Sequence, residues 1–306
     1  MAYFGGLPAS ALRQGLDQVY RDLLKKYLAT STLDGMVVLA MDHVFVRGEK
    51  REDLSPFYIP NDVVLRMARE EAGFLAAVSI HPGRPDALDE LERCAEAGAA
   101  LVKFLPNVHQ IDLTDPAYDP FWKRMAALGL PLLSHTGGEQ ALPNYQPAWA
   151  NPELLARPAE CGVTIIAAHC GGRSGLMDRD FSEEFFHLLK RYPNVYGDIS
   201  ALNLPLRSRC IRRLLDPEIC ARLIHGSDFP VPVLGQMLPI LRLITQADYR
   251  RCRQIRNPLE RDWQLKRACG FPEEVATRLF GMLPDRARQQ FRPYPSRVTE
   301  GARHAG

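Results

Sequence analysis

An α/β fold of the (β/α)8 barrel type is what three features of the sequence predict. Short apolar runs alternate with longer amphipathic stretches, the polar residues ending those runs recur about every 30 residues, and the amphipathic stretches close on glycines. The runs are Met36–Met41, Leu75–Ile80, Ala99–Phe104, Leu130–Ser134, Val163–Ala168, Val195–Ile199 and Leu223–His225. They show little polar alternation, as expected of strands buried on both faces of a parallel sheet. The terminal polar residues are Asp42, His81, Lys103, His135, His169, Asp198 and Asp228, separated by 39, 22, 32, 34, 29 and 30 residues. That period is close to the ~30 residues of a βαβ unit, and seven such units in line suit a closed barrel better than a doubly wound sheet.

The helices follow from spacing and punctuation. Leu12, Leu16, Val19, Leu23 and Tyr27 recur at intervals of three and four and predict a helix before the first strand. Asn61 and Asp86 are expected N-caps for helices over Asp62–Ala72 and Ala87–Ala97, which then meet Gly73 and Gly98. Gly129 and Gly162 close the next two. Residues 1–35 supply a helix but no strand, so one strand of the eight, the first, is expected to be missing. Beyond the last strand, Leu234–Thr245 reads as a helix started or kinked by Pro239, and Arg250–Phe280 as further helices broken at Gly270-Phe271-Pro272. Residues 1–283 are expected to form one barrel domain. From Pro284 the sequence is polar and Arg-rich, which predicts a loose tail over 284–306.

Composition narrows the function. The 306 residues carry 38 Lys and Arg against 36 Asp and Glu, with 46% hydrophobic residues, which is ordinary globular usage. This near-neutral balance argues against a nucleic-acid partner. No apolar run approaches the ~18 residues of a membrane span, and the start, MAYFGGLPAS, lacks a charged-then-apolar signal. Seven cysteines, odd in number and without a CxxC pair, predict reduced thiols and a cytoplasmic protein. No GxGxxG or GxxxxGK[ST] follows a strand, which leaves out the common nucleotide sites. The expected partner is a small-molecule substrate. Trp122, Trp149 and Trp263 are candidate contributors to a homo-oligomer interface.

In such a barrel the carboxyl ends of the strands converge on one face, where active sites are built. Three histidines, a lysine and three aspartates stand at those ends, where unpaired buried charge is costly. Several together imply a metal or a mutual network. Three motifs concentrate the chemistry: Leu-Leu-Ser-His135-Thr-Gly-Gly, Ile-Ile-Ala-Ala-His169-Cys-Gly-Gly and His225-Gly-Ser-Asp228-Phe-Pro. Two imidazoles and a carboxylate are usual donors for Zn²⁺ or a similar divalent ion.

On these motifs the chain resembles the amidohydrolase superfamily, in the amidohydrolase-related branch that also includes aminocarboxymuconate-semialdehyde decarboxylase. The resemblance runs from about Met36 to Phe280. It extends to Leu-Val-Lys103-Phe-Leu-Pro, Tyr-Gly-Asp198-Ile-Ser and Ile255-Arg-Asn-Pro. It implies a metal-dependent hydrolase that activates water to cleave a C–O or C–N bond of a small carboxylated or lactone-type substrate. A non-oxidative decarboxylase on the same scaffold is the alternative, and a catalytically incompetent barrel is the other. By this resemblance His135, His169 and Asp228 are metal ligands, and His169 and Asp228 also act in catalysis, Asp228 as the proton carrier. Lys103, Asp198 and His81 are substrate contacts or supports of the ligands.

One departure matters. The family carries a His-x-His pair on its first strand, and none of the eight histidines, at 43, 81, 109, 135, 169, 187, 225 and 304, forms one. The divalent metal, zinc by donor type, is therefore expected to bind weakly, and an upstream segment that restores strand and ligands is expected to strengthen it. His43 and His81 compete as replacement ligands, although His81-Pro-Gly also reads as a turn. His225 reads as a packed strand residue, and His109, His187 and His304 as solvated. The cysteines at 161 and 170 read as core thiols.

Overall fold

A computed structural model describes residues 16–295. Its main sheet has seven parallel strands in sequence order: β1 (Met36–Leu39), β4 (Phe74–Val78), β5 (Leu101–Phe104), β6 (Leu132–Ser134), β7 (Ile165–Ala167), β8 (Val195–Asp198) and β9 (Leu223–Ile224). A separate antiparallel hairpin, β2 (Val44–Val46) with β3 (Glu49–Arg51), follows β1. Every neighbouring pair in the main sheet is parallel, from Met36 opposite Phe74 to Asp198 opposite Ile224. The polar residues that end the strands therefore all emerge at one end. Residues of β4, β5 and β7 are buried throughout, as their uninterrupted apolar runs require.

Among the described residues β1 and β9 have no strand partner on their outer edges, so the sheet is a barrel-like fold short of one strand. Arg21 of α1 (Leu16–Ala29) pairs with Glu70 and Glu71 ahead of β4, and the helix also contacts elements beyond β9. It packs on the helix Pro258–Ala268, whose Glu260 carboxylate accepts from Ser31 Oγ, Thr32 N and Thr32 Oγ1. Asn257 Nδ2 donates to the Tyr27 carbonyl at 2.7 Å, and Tyr20 stacks on Phe229 just beyond β9. Within α1 burial centres on Leu24 and Leu28, one residue along from the expected stripe, and Leu12 lies outside the described residues.

Between strands the chain alternates as expected, with corrections at the caps. Helix α2 (Asn61–Glu70) includes Asn61 rather than being capped by it. The Asn61 amide instead donates to Glu90 and accepts from Ser79 N at the end of β4. Asp86 flanks α3 (Ala87–Glu96) but pairs with Arg84 instead of the helix amides. Gly73, Gly98, Gly129 and Gly162 all adopt positive φ at the helix exits. Leu234–Thr245 does not form the expected helix: Gly235 turns left-handed and only Met237–Ile240 coils, because Pro239 lacks the N–H a longer helix needs.

The tail also differs from expectation. Asp285–Gln290 is helical, and Leu283, Ala287 and Phe291, spaced four apart, pack with Val37, Leu75 and Ala100 at the amino ends of the strands. Backbone bonds from Gly73 N to Arg292 O and from Tyr294 N to Asp34 O fix the segment there. The loose-tail reading is thus corrected for residues 284–295, and residues 296–306 lie outside the described residues.

The core is continuous around the sheet. Its largest wholly buried side chain is Trp122, which meets Phe104, Tyr118 and Phe121 edge-on. Trp263 is also buried, so neither offers the interface surface considered for it. Trp122→Ala is expected to cost about 3–5 kcal/mol, measurable by denaturant unfolding. No described helix is long and apolar enough to cross a membrane.

Candidate active site at the carboxyl ends of the strands

The two His-x-Gly-Gly motifs form interlocking loops after β6 and β7. Thr136 Oγ1 donates to the Ala168 carbonyl at 2.5 Å and accepts from Gly171 N at 3.0 Å, while Gly138 N donates to the Gly172 carbonyl. Gly137 and Gly171 have φ of +82° and +73°. A Cβ on Gly137 would collide with the Gly172 carbonyl, and one on Gly171 with that of Phe181. Only glycine lets the backbones approach this closely. The result sets the His135 and His169 rings edge to face with centroids 5.1 Å apart, both buried.

His169 and Cys170 are left-handed, with φ of 61° and 51°, a conformation that side chains resist. Asp198 holds them. Its Oδ1 accepts from His169 N at 2.9 Å, from Ser200 N and from the Ser200 hydroxyl, and its carbonyl accepts from Cys170 Sγ. Because Ser200 gives its single hydroxyl proton to Asp198, its Oγ, 2.8 Å from His169 Nδ1, acts there as acceptor. His169 therefore carries its proton on Nδ1, which leaves the Nε2 lone pair 3.9 Å from Asp228 Oδ2. Asp198 thus both ties the loop and orients the imidazole through Ser200.

Asp228 projects from a left-handed residue, φ 60°, in the turn after β9. One-third of its side chain remains exposed, and its Oδ2 lies 3.7 Å from the Arg207 Nη1 cation and 3.9 Å from His169 Nε2. Desolvation pushes its pKa up to about 6, against the opposing pull of Arg207 and Lys103. Arg207, buried on the short helical turn Arg207–Cys210, donates Nη2 to the Gly138 carbonyl at 2.8 Å and so bridges the loops after β6 and β9. Its pKa is lowered by burial.

Lys103 lies in β5, 8% exposed, with its pKa lowered by burial against the attraction of Asp198, Asp228 and Glu139. Among the described residues its ammonium has no hydrogen bond or ion pair. His135 Nε2 is buried without a partner, 3.8 Å from Glu139 Oε2, while Glu139 Oε1 accepts from Ala141 N and Leu142 N. Both imidazoles are pushed well below their ordinary pKa, chiefly by desolvation, and stay neutral. The cluster therefore holds an unpaired Lys103, an Asp228 that Arg207 and His169 approach only to 3.7 and 3.9 Å, and an unpartnered Nε2 on His135.

Three members, Glu139, Ser200 and Arg207, were not among the candidates. Glu139 sits four residues past His135, and Ser200 two past Asp198, close enough to have been read with their motifs. Arg207 has no local signal and reaches the site through the fold alone.

His81 Nδ1 accepts from Gly83 N and its Nε2 is 3.1 Å from the His109 carbonyl, so both nitrogens are spent in the predicted turn. Burial lowers its pKa to about 4. The ligand or substrate role considered for His81 is thereby replaced by a structural one. His43 stacks on Tyr58, and His225, read as a strand residue, lies one residue past β9 and packs against Trp263. His109, expected to be solvated, is 1% exposed, with Leu105 N donating to its Nδ1. His187 is exposed, and His304 lies outside the described residues.

The donor set suits a divalent ion in type: His135 Nε2 is buried and unpartnered, and His169 Nε2 lies within 4 Å of Asp228. Yet among the described residues no three His, Cys, Asp or Glu side chains are arranged to hold one. The donors come in two pairs.

The comparisons agree with this architecture. A family model described as Amidohydrolase matches residues 20–281. An uncharacterized TIM-barrel protein of Bordetella bronchiseptica is similar in structure, with a TM-score of 0.59 and 18% identity, over 92% of this chain and 88% of that one. A probable 2-pyrone-4,6-dicarboxylic acid hydrolase of Acinetobacter baumannii, with citric acid bound, gives 0.54 and 15% identity over 85% and 88%. No curated protein sequence matches the chain. With a strand-end cluster of histidines, lysine and aspartates on a parallel barrel-like sheet, and a family match over most of its length, the chain belongs to the amidohydrolase family.

Proposed function

We propose that the chain is a hydrolase that uses Asp228 to activate water against a C–O or C–N bond of a small carboxylated or lactone-type substrate. The observation that carries this reading is the set of groups without a hydrogen bond: among the described residues Lys103 makes no polar contact, His135 Nε2 has no partner, and Asp228 meets Arg207 and His169 only at 3.7 and 3.9 Å, contacts that a merely structural cluster would have closed. Lys103 and Arg207 supply counter-charge for a substrate carboxylate and for the oxygen that gains charge during attack. Asp228, with its pKa near 6, is ionised at neutral pH yet more basic than an ordinary aspartate, which suits a general base. His169, fixed by Ser200 as the Nδ1–H tautomer, offers its Nε2 to orient the water. The A. baumannii neighbour is named for a dicarboxylated pyrone, which is a lactone of this class.

His135, His169 and Asp228 are the residues that would hold a divalent ion, zinc by donor type. Such an ion would lower the pKa of a bound water. Two features weaken that binding here: the donors are paired rather than gathered in one shell, and the Lys103 and Arg207 cations stand beside them. We expect zinc to be substoichiometric after gel filtration and fully removed by mild chelation, as measured by plasma emission. Stoichiometric zinc that survives chelation would contradict this.

The functional test is a panel of carboxylated lactones and amides followed by mass spectrometry in ¹⁸O water. Hydrolysis places one ¹⁸O in the product and is lost in Asp228→Ala and His135→Ala but kept in His187→Ala. Release of CO₂ without incorporation would move the reading to decarboxylation, for which Asp228 would be the proton donor. Turnover retained in both Asp228→Ala and His135→Ala would refute the site.

A further inference from the structure

Outside the catalytic cluster, a cavity of about 190 Å³ lies between the chain that leaves Asp228 and the two helices that follow it. Val233, Leu234 and Gln236 form one wall. Tyr249 and Arg253, from the helix Gln246–Arg253, and Arg261 and Leu265, from Pro258–Ala268, form the others. None of these residues belongs to the catalytic cluster.

Its charge is one-sided. Two guanidinium groups share the lining, and no carboxylate does. Arg261 is half-buried, with Nε fully enclosed and unpartnered, and its Nη1 makes one long contact, 3.5 Å, to the Ile255 carbonyl. Among the described residues neither Arg253 nor Arg261 has an ion-pair partner, whereas Arg251 and Arg267 nearby are paired with Asp248 and Glu273. Arg261 and the exposed Arg253 thus line one cavity with two positive charges and no carboxylate, and their Nη groups are what the cavity offers an anion.

We propose that this cavity binds a small oxyanion, with a carboxylate or phosphate head held by Arg253 and Arg261. The planar fork of each guanidinium matches either head with paired N–H donors. Tyr249 and Gln236 supply neutral polar groups, and Val233, Leu234 and Leu265 accept a short apolar body. The volume is below the ~300 Å³ of ordinary ligand pockets, so a compact anion fits and a nucleotide or extended cofactor does not.

The test is isothermal titration of the 306-residue protein with inorganic phosphate and with butyrate at constant ionic strength. We expect saturable binding of at least one probe. Phosphate preference would identify a tetrahedral head, and butyrate preference a carboxylate with its chain on the leucines. Arg253→Gln, at an exposed position that leaves the core intact, and Arg261→Gln should each weaken binding about tenfold or more. Lys103→Met should leave it unchanged, which separates this cavity from the catalytic cluster. Absence of binding by both probes, equal binding in both arginine variants, or loss in Lys103→Met in their place would overturn the proposal.

Discussion

Asp228→Asn should lower turnover by about 10²–10⁴-fold, the range for removal of a general base, with little change in substrate affinity. The same substitution should leave thermal stability at pH 8 unimpaired or higher. The sign follows from linkage: the folded pKa of Asp228 is raised, to about 6, so its contribution to stability is present in the protonated form and lost as pH rises through 6. Above that value the ionised carboxylate is a burden on the fold, eased by Arg207 and by the third of the side chain that stays wet. Asparagine keeps the shape and removes the charge. Parallel assay and calorimetry of wild type and variant check both halves; a loss of stability at pH 8 matching the loss of activity would mean that Asp228 serves the fold instead.

An effect on stability as large as that of Trp122→Ala is expected at Asp262, beside the site rather than in it. Its carboxylate is wholly buried, accepting from Lys266 Nζ at 2.6 Å and Asn203 Nδ2 at 2.7 Å. Lys266 Nζ also donates to the Gly226 carbonyl in the turn that presents Asp228. Asp262→Ala strands a buried ammonium and should cost about 3–5 kcal/mol. The paired change Asp262→Leu with Lys266→Met should cost clearly less, because no charge is left without its partner. Urea unfolding of the two singles and the double closes the cycle, and a double variant as unstable as the sum of the singles would deny the coupling.

How much of this was legible in the sequence depended on whether the signal was local. The strands were, because burial on both faces leaves uninterrupted apolar runs. Their polar ends were too, and parallel order alone then brings His135, His169 and Asp228 to one end. Residues that reach the site from loops were not: Arg207 arrives from a turn between β8 and β9, where nothing nearby marks it. His109 was misjudged for the same reason, since a four-residue helix, Pro106–His109, buries what reads as a loop. Asn61 and Asp86 looked like caps, but a tertiary partner, Ser79, took the first side chain and a local one, Arg84, the second. The tail was misread because Leu283, Ala287 and Phe291 are a thin stripe in a polar, arginine-rich segment.

The central claim is that Asp228 is the base of a hydrolytic site, and the pH dependence of kcat/KM tests it most directly, since that parameter reports ionisations of the free enzyme. On the substrate identified from the panel, wild type should show an acid limb with an apparent pKa near 6, and Asp228→Asn should lack that limb at its residual rate. An acid limb that persists unchanged in Asp228→Asn would contradict the account.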